Sequence, residues 1–139
     1  ITKAGTHENI ITANAYWQLR MLDVKKCIEG VELNCKEFTL LMEVTDPIES
    51  LIPKGHSGWR GCTGYYRITF GRENTCEKLQ GVGEKPDMVI SVNDLSRLWI
   101  GSISAKGLAA EGKISVSQEL LVKLDQAFLL PRPVREWDF

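Results

Sequence analysis

The residues of this sequence best suited to chemistry are the last three, Trp137, Asp138 and Phe139. The α-carboxylate of Phe139 and the side chain of Asp138 bring two anions to one point. Pro131 and Pro133 precede them, rule out a continued helix and form a stiff spacer. Chain ends are usually polar and frayed, so an aromatic tail behind such a spacer indicates a placed segment. The alternative interpretation is that Trp137 and Phe139 pack on the surface of their own domain.

A nucleophilic site would need a base beside a serine or cysteine. His56 and Ser57 lie in a glycine-rich loop that also contains Cys62. Residues this close in sequence rarely form a dyad, and no third residue that would orient the base is recognisable. The same loop, GWRGCTG at 58–64, lacks the Lys-Ser/Thr pair of a phosphate-binding loop. It therefore predicts an irregular loop or bulge.

Aromatic and basic side chains cluster just after this loop. Such a cluster can bind an anion or a nucleic acid base, but the alternation of residue types here favours a sheet face. The acidic residues fall where helix caps and solvated faces are expected, and no catalytic carboxylate pair is recognisable. The cluster consists of Trp59, Arg60, Tyr65, Tyr66 and Arg67.

The cysteines and histidines do not have the spacing of metal ligands. Zinc sites normally contain closely spaced ligand pairs, whereas this sequence has no C-x-x-C, and its two histidines are far apart. We therefore predict no metal site. A domain of this size does not need disulfides, which favours free thiols in a reducing cytoplasm. The cysteines are Cys27, Cys35, Cys62 and Cys76.

Length and composition indicate one globular domain. A chain of 139 residues can bury a core without covalent staples. The net charge of −1 offers no basic surface for nucleic acid or an anionic membrane. No apolar run approaches the roughly 18 residues of a membrane span, and no signal peptide pattern is present. Because the sequence starts at Ile1 rather than Met, we expect residues 1–15 to be a linker from an upstream region.

Apolar residues alternate with polar ones in the first part of the chain, which predicts strands. The strands are expected at residues 17–21, 38–44, 65–70, 75–79 and 88–92. The last of them is continuously apolar and is predicted to be buried on both faces. A short helix follows Asp23, its expected N-cap, and ends at Gly30. Arg20 and Asp23 bracket its start and can form a salt bridge or remain a solvated pair.

The apolar period changes to 3.6 after residue 92, which predicts three helices. The expected caps are Asn93, Ser104 and either Ser115 or Ser117. Strands that precede helices favour an α+β domain, with one roughly five-stranded sheet and helices packed mainly on one face. The domain is expected to span residues 16–139.

Several segments, taken in order, resemble the C-terminal domain of the Eis-like GCN5-related N-acetyltransferases. That domain has the sterol-carrier-protein-2-like fold, and the resemblance covers about residues 15–139. The matching segments are WQLRMLDV at 17–24, LMEVTDP at 41–47, PDMVISV at 86–92, LSRLWIG at 95–101 with 105–112, and LDQAF at 124–128.

The resemblance implies roles for two residues. In that family the C-terminal carboxylate reaches the acetyltransferase site as the proposed general base, and Phe139 occupies this position here. Asp138 matches the acidic residue that helps to hold cationic amine substrates. The acetyl-CoA loop and the tyrosine general acid of the family belong to a preceding domain and are absent from this chain. We therefore expect it to be inert alone, with acetyl-CoA bound by that domain.

The resemblance further implies that the partners are an N-terminal acetyltransferase domain of the same polypeptide, an amine substrate and other copies in a homo-oligomer. Two alternatives remain. The chain can be a stand-alone sterol-carrier-like module that binds an apolar ligand, which requires an apolar tunnel. It can also be a structural domain whose exposed face docks a partner, in which case the tail has no catalytic role.

Overall fold

The computed structural model describes residues 18–81 and 83–129. Residues 1–15, predicted as a linker, and the terminal residues Asp138 and Phe139 lie outside this part. In chain order the elements are α1 (Val24–Glu29), β1 (Phe38–Thr45), a 3₁₀ helix (Pro47–Leu51), β2 (Gly64–Phe70), β3 (Thr75–Leu79), β4 (Met88–Ser91), α2 (Val92–Trp99), α3 (Ala105–Ala110) and α4 (Gln118–Ala127).

The four described strands form one mixed sheet in the order β3-β2-β1-β4. β2 pairs antiparallel with both β1 and β3, while β4 runs parallel to β1. Side chains alternate between buried and more exposed along β2, as the sequence predicted, and the buried ones face the helices. The α+β class and the packing of helices on one face are thus confirmed. The core side of the sheet includes Leu40, Met42, Val44, Ile68 and Ile90.

The strand predicted at residues 17–21 is wrong for its described part. Residues 18–23 are irregular, and the sheet has four strands within the described residues rather than five. Met21 is buried, but its backbone N–H donates to the Ser96 hydroxyl at 2.9 Å instead of to a neighbouring strand. The alternation in this segment therefore reflects packing on the domain and not a β-ladder.

Strand β4 is less buried than its sequence predicted. Val89 remains 46% exposed, and β4 lies at the edge of the described sheet. The helix that follows begins earlier than expected. Ser91, rather than Asn93, caps α2 by accepting from the Asp94 N–H at 3.1 Å.

The remaining helix ends agree with the sequence prediction. Asp23 caps α1, Ser104 caps α3, and Ser117 caps α4. α4 ends on an aromatic contact, where Phe128 meets Phe70 edge-on with ring centroids 5.3 Å apart. No helix of the described residues is both long and apolar enough to span a bilayer.

Candidate functional site

The best-organised polar group of the described residues is a buried ion pair between Arg20 and Asp46. Arg20 lies in the irregular lead-in segment, which we define as residues 18–23, and Asp46 directly follows β1. The Asp46 side chain is fully shielded from solvent, whereas that of Arg20 is 29% exposed. The sequence-based pairing of Arg20 with Asp23 is therefore wrong, because the Asp23 carboxylate caps α1 instead.

Backbone groups complete the shell around Asp46. Its Oδ2 accepts from the Cys62 N–H at 2.8 Å, and its Oδ1 accepts from the Ile48 N–H at 3.1 Å. The backbone N–H of Asp46 donates to Thr63 Oγ1 at 2.9 Å. The carboxylate thus joins the lead-in segment, the end of β1 and the loop before β2.

The electrostatics of this group favour its ionised form. Burial by itself raises the pKa of Asp46, but the Arg20 guanidinium and the two backbone N–H groups outweigh it and lower the pKa below its ordinary value. A carboxylate that is held ionised against a fixed cation is a poor proton carrier. The pair is therefore suited to anchoring the lead-in segment rather than to acid–base catalysis.

Trp59 covers the outer side of the ion pair. The Arg20 guanidinium carbon lies 5.9 Å from the centre of the Trp59 ring, within cation–π range. The indole N–H donates to the Leu22 carbonyl at 2.8 Å. Gly61 is required next to this site, since it has φ +92° and a Cβ there would lie 3.0 Å from Asp46 Oδ2.

The structure does not assemble a nucleophile in this loop. His56 and Ser57 are exposed, whereas Cys62 is buried, and its thiol donates to the Met21 carbonyl at 3.6 Å. Burial, followed by the negative charge of Asp46, raises the pKa of the Cys62 thiol. A buried thiol with a raised pKa is a weak nucleophile. The described geometry therefore gives no support for a nucleophilic dyad between Cys62 and His56.

The aromatic and basic cluster is divided between the two sides of the sheet. Tyr66 is buried, and its hydroxyl donates to the Cys62 carbonyl at 2.8 Å. Arg67 is exposed on the opposite face and pairs with Glu84 at 3.2 Å. Arg60 donates to the His56 carbonyl. The prediction of one sheet face holds only for the part of the cluster in β2, because Trp59 and Arg60 belong to the preceding loop. These side chains do not converge on one anion site.

Comparison with known proteins identifies the family. A family of sterol carrier protein domains matches residues 24–135, which is most of the chain. The chain belongs to this family. A protein of Streptomyces avermitilis named as an uncharacterized N-acetyltransferase is 30% identical over 121 residues, which are 86% of this chain and 25% of that protein.

Solved structures share the fold of this sterol carrier protein domain. A GCN5-related N-acetyltransferase from Anabaena variabilis matches with a TM-score of 0.64 at 20% identity, over 82% of this chain and 26% of its own. Eis1 from Mycobacterium abscessus matches with a TM-score of 0.58 at 18% identity, over 84% of this chain and 26% of Eis1. The chain thus spans about a quarter of the relatives it matches, and the resemblance drawn from the sequence is confirmed.

Two open clefts of this sterol carrier protein domain adjoin the segment that leads into β4. The larger, of about 520 Å³, runs between β4 and the segment before α4, where Lys85, Asp87, Ser115 and Ser117 contribute polar groups. The smaller, of about 200 Å³, has Arg67 and Glu84 at its rim. Neither has the apolar tunnel lining that a lipid carrier requires.

Phe139, predicted as the general base, and Asp138, predicted to hold the amine substrate, lie outside the described residues, so their roles stay predictions. Phe128, which directly follows α4, is buried, and Leu129 after it is 86% exposed. Within residues 18–81 and 83–129 no group of three His, Cys, Asp or Glu side chains is arranged to hold a metal ion. The Arg20–Asp46 pair escaped the sequence analysis, although both residues stand in the segments that carried the resemblance.

Proposed function

We propose that this chain is the C-terminal domain of an acetyl-CoA-dependent N-acetyltransferase. The observation that carries the proposal is the relative from Streptomyces avermitilis. Its name gives the activity, it is 30% identical across most of this chain, and it is about three and a half times as long. The matched part makes up about a quarter of that protein. In this proposal the domain lies beside the region of the polypeptide that binds acetyl-CoA.

The role proposed for the domain is to shape the pocket of the amine substrate. Acetyl transfer needs a neutral amine as the nucleophile, so an ammonium substrate must first lose a proton. The α-carboxylate of Phe139 is the proposed general base, and Asp138 attracts the cation. A free α-carboxyl has a pKa of about 3.3 to 3.7, which is too low for an efficient base. Burial among aromatic side chains and the neighbouring charge of Asp138 would both raise this pKa.

Acetyl-CoA belongs to the other region of the polypeptide in this proposal. The chain contains no loop of the type that holds the pyrophosphate of the cofactor, and we expect it to be inert alone. The whole polypeptide would act as a homo-oligomer in the cytoplasm. Its acceptor is an amine that is cationic in solution, because two carboxylates at the tail favour a positive ligand.

The test is acetyl transfer from acetyl-CoA to a panel of amines by the natural polypeptide that contains this chain. We expect turnover by that polypeptide and none by the 139-residue chain. Removal of Phe139, or addition of one residue after it, should abolish turnover while acetyl-CoA binding and folding persist. Val122→Ser, an exposed change on α4, serves as the control and should retain activity.

Two results would contradict the proposal. Full turnover after both changes at the C-terminus would show that the carboxylate of Phe139 is not the base. Absence of acetyl transfer by the natural polypeptide, together with lipid that co-purifies with it, would favour the alternative that the domain is a sterol-carrier-like module.

A further inference from the structure

Large apolar side chains of the lead-in segment and of the loop beside it are exposed. Leu19 and Leu22 are 64% and 60% exposed, and Trp59, which covers the neighbouring ion pair, is 43% exposed. We call these three residues the lead-in patch. Single exposed apolar residues are normal on a protein surface, but neighbouring ones that include a tryptophan are typical of contact sites.

The lead-in patch is held in place by polar contacts rather than loosely exposed. The Trp59 indole donates to the Leu22 carbonyl at 2.8 Å, and Met21 between the leucines is buried and bound to Ser96. Arg20, beside Leu19, is fixed by Asp46. A surface that is already ordered loses little conformational entropy on binding, which favours its use as a contact site.

A donor at this site also lacks a partner. The Nε of Arg20 is hidden from solvent and has no hydrogen-bond partner within the described residues. Buried N–H groups of this kind are nearly always paired in native proteins. Because the domain itself encloses this atom, it shows how tightly the Arg20 side chain is held beside the patch rather than a contact for another molecule.

We propose that the lead-in patch is the surface on which the acetyltransferase region of the same polypeptide docks. Any region that precedes residue 18 joins this domain through the lead-in segment, which itself forms much of the patch. The relatives are more than three times as long as this chain, so a region large enough to cover the patch is part of those proteins. The inference rests on the proposed function for the nature of that region.

The assignment has a test in the natural polypeptide, by hydroxyl radical footprinting with mass spectrometry. Trp59, Leu19 and Leu22 should be protected there and reactive in the 139-residue chain. Val89 and Val122, which are 46% and 42% exposed and belong to other surfaces, should react equally in both. Equal reactivity of the lead-in patch in both would overturn the inference. Protection already present in the 139-residue chain would also overturn it, since residues 1–17 would then be the occupant.

A second test uses the paired substitutions Leu19→Ser and Leu22→Ser in the natural polypeptide. Their side chains contribute little to the core of this domain, so the domain should stay folded. Loss of two apolar contacts should raise the rate of proteolysis between the two regions at least about tenfold. The matched control Val89→Ser with Val122→Ser should leave that rate unchanged. An unchanged rate in the leucine variant would overturn the inference.

The two proposals can fail separately. Acetyl transfer with an unprotected lead-in patch would retain the proposed function and overturn the docking surface. A protected patch in a polypeptide that transfers no acetyl group would retain the docking surface and overturn the proposed function. The docked region would then not be an acetyltransferase.

Discussion

Asp46 connects three segments of this domain through its side chain. It accepts from Arg20 in the lead-in segment and from two backbone N–H groups after β1 and before β2. Removal of a buried charge partner costs more than the pair contributes, because the other charge remains without compensation. In this domain Arg20 retains partial contact with water, which moderates that cost.

We expect Asp46→Asn to lower the free energy of unfolding by about 2 to 3 kcal/mol at pH 7, because an amide cannot accept from all three donors. Chemical denaturation measures this change. The control is Glu84→Gln, which removes the exposed pair of Glu84 with Arg67 and should have little effect. Equal stability of the two variants would contradict the anchoring role of Asp46.

The same substitution predicts a change in acid stability. The pKa of folded Asp46 is below its ordinary value of 3.8, so its contribution is complete above that value. The contribution is lost as the pH falls through the lowered pKa of the folded state. The difference in stability between the wild type and Asp46→Asn should therefore begin to shrink below about pH 4. A constant difference between them at pH 3 and pH 7 would be inconsistent with this linkage.

The cysteines should divide by accessibility. Burial raises the pKa of Cys76 to about 12, and Cys62 is equally buried, whereas Cys27 and Cys35 are partly exposed. Only the thiolate is alkylated, and at pH 8 a thiol of such pKa is ionised to roughly one part in ten thousand. Timed iodoacetamide labelling with peptide mass spectrometry should modify Cys27 and Cys35 first. Early modification of Cys76 in folded protein would contradict the packing described.

At the scale of elements, Asn74 ties the β2–β3 hairpin to the end of α1. Its side-chain amide donates to the carbonyls of Ile28 and Val31 at 3.2 and 2.6 Å, and its oxygen accepts from the Gly71 N–H at 3.1 Å. The hairpin is thereby fixed both to its own turn and to the residues that leave the helix.

Substitution of Asn74 by alanine should destabilise the domain by about 2 to 3 kcal/mol, since three hydrogen bonds are lost and buried groups remain unpaired. The neighbouring exposed change Glu73→Ala should stay within about 0.5 kcal/mol of the wild type. Thermal unfolding of both variants gives the comparison. If Asn74→Ala were as stable as Glu73→Ala, the hydrogen bonds of the Asn74 side chain would not stabilise the domain.

The sequence predicted β1, β2 and β3 because their apolar residues alternate and one face of the sheet is buried. The same rule failed at residues 18–21, where alternation arises from one buried residue, Met21, between exposed ones. It also overestimated the burial of β4, since a continuous apolar run does not reveal that Val89 lies at a sheet edge. The caps of α1, α3 and α4 were among the predicted residues. The cap of α2 was not, because α2 begins directly after β4 and is capped by Ser91 instead of Asn93.

At the scale of the molecule, two sets of candidate residues were recognised in different ways, one from the sequence and one from the fold. Asp138 and Phe139 were predicted from a family resemblance, which needs only their position in the sequence. The pairing of Arg20 with Asp46 depends on a contact between residues 26 positions apart. A single sequence offered Asp23 as an equally suitable and nearer carboxylate. Only the fold, which directs Asp23 to the start of α1, decides between them.

The central claim is that the α-carboxylate of Phe139 takes the proton from the amine. Two semisynthetic forms of the natural polypeptide, with a carboxylate or a carboxamide at Phe139, isolate this charge at nearly constant shape. We predict that the carboxamide lowers kcat for acetyl transfer by about 10² to 10⁴, the usual range for a general base, while binding of acetyl-CoA is unchanged. Equal kcat values for the two forms would contradict the claim.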